Sequence, residues 1–107
     1  MENLVIAYIE ENNGATIHKG TIIEPECGYQ VGIGELFTTK DLGFLLQIID
    51  YLLEHYDDFG IWYDNDDQIY VIDKCIYVEN LDDAINLGKL NEQKAIYDWK
   101  TQDDIKL

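Results

Sequence analysis

The residues of this chain that could do chemistry are above all carboxylates, and the tightest group of them is Asp64-Asn65-Asp66-Asp67. Oxygen donors so close together suit a hard cation such as calcium. A calcium loop of the helix–loop–helix kind beginning at Asp64 would need glycine where Ile69 stands and a bidentate glutamate where Cys75 stands, so the segment departs from that pattern at both defining positions. An acidic hairpin turn, whose Asp and Asn side chains bond their own backbone, accounts for the same residues. His18, Cys27, His55 and Cys75 are zinc-ligand types, but no two of them lie at the short spacing that pre-assembles half a site. The same four give no local motif for a Cys–His nucleophile pair, and His55 reads as a helix-end residue. Gly28, Gly32 and Gly34 lack the Lys-Ser or Lys-Thr of a phosphate loop and the spacing of a dinucleotide fingerprint, so they read as strand glycines at a close approach or a bulge. No catalytic residue, metal or cofactor is assigned on these grounds, and an enzyme is not expected.

The aromatic residues carry a second signal. Trp62 and Tyr63, Tyr70 and Tyr77, and Tyr97 and Trp99 alternate along apolar runs, so some must point away from the core. Outward rings can stack across strands. Beside carboxylates they also make good anchors for lysine and arginine on a partner.

These residues must be positioned by a single domain of 107 residues, 47% hydrophobic, which is enough apolar material to fold in spite of the charge. Leu4 to Ile9 reads as a first strand, with Asn13-Gly14 as the hairpin turn into a second strand through Ile17 to Ile23. Tyr29, Val31 and Ile33 alternate with polar or glycine positions as in a third strand. Thr38 and Asp41 resemble a capping box, and the spacing of Leu42, Leu45, Leu46, Ile49, Leu52, Leu53 and Tyr56 predicts the main helix. Phe44, Ile48 and Tyr51 widen its apolar stripe, which predicts that it is covered on two sides and marks those three residues as a possible oligomer surface. Phe59 to Tyr63 and Gln68 to Ile72 form a hairpin, with pairing extended through Cys75 to Val78 past a break at Asp73-Lys74. Asn80 caps a short helix over Leu81 to Leu90, and Lys94 to Trp99 is a last strand. The order β-β-β-α-β-β-α-β predicts an α+β fold: an antiparallel sheet of about five to six strands with one long and one short helix on one face. Both cysteines read as buried thiols, since nothing marks a secreted chain.

Charge narrows the partners. There are 22 Asp and Glu against 7 basic residues, every one a lysine, for a formal net charge of -15. With no arginine, the chain lacks the planar fork that grips phosphates and guanine edges, and its field repels a polyanion. Nucleic acid and anionic membrane are poor partners, and basic proteins are good ones. The longest apolar stretch, Leu42 to Leu53, is interrupted by polar residues, and no basic segment precedes the first apolar run, so a cytoplasmic protein is expected. The lack of arginine suits an AT-rich coding sequence, hence a low-GC bacterium or its mobile elements.

The segments Gly60-Ile61-Trp62-Tyr63-Asp64, Gln68-Ile69-Tyr70-Val71-Ile72-Asp73, Leu81-Asp82-Asp83-Ala84-Ile85-Asn86-Leu87-Gly88 and Gln93-Lys94-Ala95-Ile96-Tyr97-Asp98 resemble small acidic phage and mobile-element proteins of the anti-defence kind, anti-CRISPR or anti-restriction. The resemblance implies an inhibitor that occupies a basic nucleic-acid groove on its partner by imitating the polyanion. Acids are densest from Asp57 to Asp83, so the contact surface is expected at Asp57, Asp58, Trp62, Tyr63, Asp64, Asp66, Asp67, Asp73, Glu79, Asp82 and Asp83. The alternatives are an acidic interaction module or homo-oligomeric accessory protein without mimicry and, third, a small enzyme or ligand binder.

Net charge and the missing arginines give a direct expectation: duplex and single-stranded DNA are not retarded in a gel by micromolar protein at physiological salt. A shifted band would contradict it.

Overall fold

In the computed structural model, which describes residues 2–107, the chain is an α+β domain of three helices and seven strands. The elements in order are α1 (Glu2–Asn12), β1 (Gly14–His18), β2 (Thr21–Ile22), β3 (Tyr29–Thr39), α2 (Leu42–His55), β4 (Asp58–Asp64), β5 (Ile69–Val78), α3 (Leu81–Leu90), β6 (Ala95–Asp98) and β7 (Asp103–Lys106). The strands form one sheet in the order β2-β1-β4-β5-β3-β6-β7, antiparallel at every pairing.

The first element corrects the sequence reading: Leu4 to Ile9 is helix, not strand. Val5 and Ile9, four residues apart, are fully buried while Leu4, Ala7 and Glu10 face out, which is a helical period. Asn13-Gly14 is accordingly not a hairpin turn. Asn13 adopts φ 62° and its N–H donates to the Ile9 carbonyl at 2.7 Å, closing the helix with a left-handed residue. Gly14 then starts β1 where a Cβ would lie 2.8 Å from the Ile61 carbonyl oxygen. The expected second strand is two: β1 and β2 are joined by Lys19-Gly20, both at positive φ, the geometry of a tight two-residue hairpin.

The helix and hairpin expectations downstream agree closely with the structure. Asp41, not Thr38, caps α2: its Oδ1 accepts from the Gly43 N–H at 2.8 Å, and Thr38 lies in β3. Asn80 caps α3 by accepting from the Asp83 N–H at 3.1 Å. The irregularity expected at Asp73-Lys74 belongs to the strand opposite. Pairing of β3 with β5 skips at Ile33 and again at Leu36, so β3 bulges on both sides of its contacts with Lys74 and Asp73. β7 has no counterpart in the sequence reading; Ile105 is its single apolar residue.

All three helices lie on one face. Ile72, Ile76 and Val78 project from β5 on the same side. The larger core joins Val5 and Ile9 of α1, Leu45, Ile49 and Leu52 of α2, Ala15 and Ile17 of β1, Phe59 and Ile61 of β4, and Ile72. The smaller one joins Ala84 of α3 to Val31 and Ile96, with Val78 and Ile105 packed against it. The wide stripe of α2 is covered on one side only: Phe44 is 41%, Leu46 40% and Tyr51 48% exposed, and Ile48 is half-buried. Cys75 is buried as expected, whereas Cys27 is exposed in the segment between β2 and β3; both are free. Among the described residues no helix is long and apolar enough to cross a membrane.

The facing of α2 can be tested by a pair of neighbours. Leu45→Ala should cost about 2–5 kcal/mol in urea denaturation, since it opens a cavity in the larger core. Leu46→Ala should stay within about 0.5 kcal/mol of wild type.

Candidate functional site

The sheet face opposite the helices carries the chemistry. Strand alternation puts Gly14 and Thr16 of β1, Gly60, Trp62 and Asp64 of β4, Val71, Asp73, Cys75 and Tyr77 of β5, Gln30, Gly32 and Glu35 of β3, and Tyr97 of β6 on this face. Bulges sharpen strand twist, and the two in β3 sit beside Asp73 at the middle of the sheet. The sheet curls there, and a trough of about 1090 Å³ runs along its open face from β1 to β7. Tyr8 and Asn12 of α1, the Glu24-Pro25-Glu26 segment, Gln93, Tyr97 and Trp99 line it. The volume lies at the top of the range of ligand pockets, roughly 300–1,000 Å³.

Glycine makes room for the side chains that pack on the sheet here. A Cβ at Gly32 would lie 2.7 Å from Gln93 Oε1 and 3.1 Å from Asp73 Oδ2, and one at Gly60 would lie 3.3 Å from Asp73 Oδ1. Asp73 is thus held between two side-chain-free positions on its neighbouring strands. Burial pushes its carboxyl up to about 7, and the charge of Glu35 directly across β3 acts in the same direction. Its own backbone N–H and the Trp62 indole, as hydrogen-bond donors, act the other way.

Next along β5, Cys75 anchors a buried polar chain. Trp99 Nε1–H donates to Gln30 Oε1 at 3.1 Å, and Gln30 Nε2–H donates to Cys75 Sγ at 3.2 Å. Burial pushes the Cys75 thiol up to about 12, so it is a neutral structural thiol at physiological pH. Tyr97 meets Trp99 edge-on at 4.9 Å, and its phenol is raised by burial and by Asp104, Asp103 and Asp98. Tyr8 of α1 donates to Glu24, and burial, then that bond, push its phenol up to about 12. Tyr77 fixes the segment between β2 and β3 by donating to the Cys27 carbonyl at 2.7 Å. Its ring lies over Gly28, where φ is 89° and any Cβ would collide with the phenol.

The acidic run Asp57 to Asp83 does not form one edge. Asp57, Asp58 and Glu79 sit at one end of the β4–β5 hairpin, and Asp58 pairs with His18. Asp64, Asp66 and Asp67 sit at the other, about 20 Å away along β4. Asp64 Oδ1 accepts from the Asp66 and Asp67 N–H groups at 2.9 and 3.3 Å, the backbone-bonding role weighed for this turn. Asp82 and Asp83 open α3 on the helix side, and Tyr63 faces the helices, its ring 4.9 Å from Tyr70. Of the eleven expected contact residues the trough gathers Trp62, Asp64, Asp67 and Asp73. It adds Gln30, Glu35, Gln93 and Asp104, which no local pattern marked; only the alternation of Tyr97 with Trp99 and the strand glycines pointed to this face. Among the described residues no three His, Cys, Asp or Glu side chains converge as a metal-binding group.

No family model, curated protein or solved structure matches this chain. The arrangement can hold a cation against carboxylate and indole, and it can exchange one proton near neutrality at Asp73.

Asp73 makes stability pH-dependent with a definite sign. Its folded pKa, about 7, lies above the ordinary 3.8, so its contribution is fully present below about pH 4 and is lost as pH rises through 7. Asp73→Asn should therefore melt like wild type at about pH 4 and below, and at pH 8 it should be more stable by about 2–4 kcal/mol. Melting curves across about pH 4–8 that run parallel for the two proteins would refute the assignment.

Proposed function

We propose that this is an acidic binding protein that occupies a basic surface of a partner protein, in competition with the nucleic acid that surface normally holds. One observation carries the reading: carboxylates of the open face surround Trp62, Tyr97 and Trp99, and among the described residues no lysine forms an ion pair with a carboxylate. Charge that is not neutralised internally projects outward, and a basic groove that evolved for a duplex, with one negative charge per ~1.7 Å, is the kind of surface that answers it. The exposed indole of Trp62 offers a cation–π partner for the lysines and arginines of such a groove. The anti-defence resemblance of the C-terminal half points the same way. A second reading, a homo-oligomeric accessory protein without mimicry, draws on the exposed Phe44 and Tyr51 of α2.

Capture from a low-GC bacterial lysate at two salt concentrations should bring down a nucleic-acid enzyme, less of it at the higher salt. Asp64, Asp66 and Asp67 changed together to Asn should slow association with that partner and flatten the salt dependence. Trp62→Ala should speed dissociation instead. Wild-type kinetics in the triple variant at low salt would remove the hairpin end from the contact surface, and a stable dimer in light scattering that Tyr51→Ser dissolves would favour the second reading.

A further inference from the structure

The trough has a shape of its own, apart from the overall acidity of the surface. Three cross-strand rows succeed one another along β4 and β5 on the open face: Gly60 beside Asp73, then Trp62 beside Val71, then Asp64 beside Ile69. The order is carboxylate, apolar step, carboxylate. The middle row pairs a half-exposed indole, 45% accessible, with a buried valine. Four residues of strand separate the end rows, about 13 Å at the rise of an extended chain. Asp73 lines the trough and is only partly buried, so a ligand group can reach its carboxylate.

From this register we infer that the trough is a binding site for a linear aliphatic polyamine, one ammonium on Asp73, the methylene chain over Trp62 and Val71, and a second ammonium on Asp64 at the hairpin end. Each part of the ligand meets its chemical complement. An ammonium is stabilised by a carboxylate and by the face of an indole, so the inner ammonium of a triamine is met by Trp62, and the methylenes gain from burial on apolar surface. A compact metal cation of equal charge could use the carboxylates but not the apolar row. Lys94 and Lys100 also line the trough, but they are outnumbered there by acidic residues and form no ion pair with them. The site asks nothing of a protein partner, so it stands or falls separately from the inhibitor reading.

Isothermal titration with spermidine at physiological salt and about pH 8, where Asp73 is ionised, tests it directly. The expected result is saturable binding of one equivalent with a dissociation constant below about 1 mM, accompanied by a change in tryptophan fluorescence. Trp62→Ala should weaken binding about 3–30-fold and Asp73→Asn about 10-fold or more. The Asp82→Asn, Asp83→Asn pair on α3, which removes the same kind of charge outside the trough, should bind as wild type. Magnesium at equal charge should not displace the amine. Circular dichroism spectra that match wild type verify that each variant is folded, and the Asp82/Asp83 pair serves as the internal control if Asp73→Asn alters stability. Four outcomes would overturn the inference: no saturable binding, equal weakening in the α3 pair, displacement by magnesium, or an oligolysine peptide of the same charge binding more tightly than spermidine, which would assign the trough to protein lysines.

Discussion

The pairing of β3 with β5 is the interaction on which the rest depends. These two strands make the longest ladder in the sheet, and two inserted residues, Ile33 and Leu36, interrupt it within four positions. Each insertion restores the alternation only after bending the strand, so the ladder keeps its hydrogen bonds while the sheet turns out of plane. On the helix side that curvature accompanies two cores instead of one, Ile72 belonging to the larger and Val78 to the smaller. On the opposite side the same curvature makes a trough and places Asp73 in its lining, facing Glu35.

One-sided burial then governs the electrostatics. The carboxylates of a strongly acidic chain repel one another, and most of them here are kept at turns, caps and helix surfaces where water screens them. Asp73 is treated differently, because its position on the sheet is fixed by Ile72 beside it, whose side chain must enter the larger core. Alternation leaves Asp73 no choice of face. Its carboxyl is desolvated against glycine-lined backbone, and the protonated form is favoured up to neutral pH. The adjacent chain from Trp99 through Gln30 to Cys75 satisfies the remaining buried polar groups, and among the described residues no buried side-chain nitrogen or oxygen is left without a partner.

The binding proposals share one physical origin, the coincidence of unneutralised charge with exposed aromatic surface, and differ in what they ask of geometry. A basic protein surface needs only a field and a few anchoring rings. A polyamine needs the particular succession of rows on β4 and β5. Trp62 and the acids of Asp57 to Asp83 are contiguous in sequence and read there as one edge. A β-hairpin folds a run back on itself, so acids adjacent in sequence separate by the length of the strands, and Asp73 moves alongside Gly60.

What the sequence by itself determined is what local chemistry decides. The period of apolar residues from Leu42 to Leu53, the Asn80 cap, the turn at Asp64 to Asp67 and the absence of arginine are written within a few residues of where they act, and each holds in the structure or in the charge. Tertiary structure decided the remainder. Leu4 to Ile9 is rich in β-branched and aromatic residues and suits a strand by propensity, yet Val5 and Ile9 are buried together only as a helix against β1 and α2. Asn13-Gly14 has the same backbone freedom at a helix end as at a hairpin. β7, nearly all polar, is a strand because β6 offers it an unpaired edge, and Ile105 reaches the smaller core. The bulges, and with them the trough, come from the register of strands more than 30 residues apart, as Gly34 and Lys74 are. Such pairings are set by how whole faces pack, and no window of local sequence contains that information.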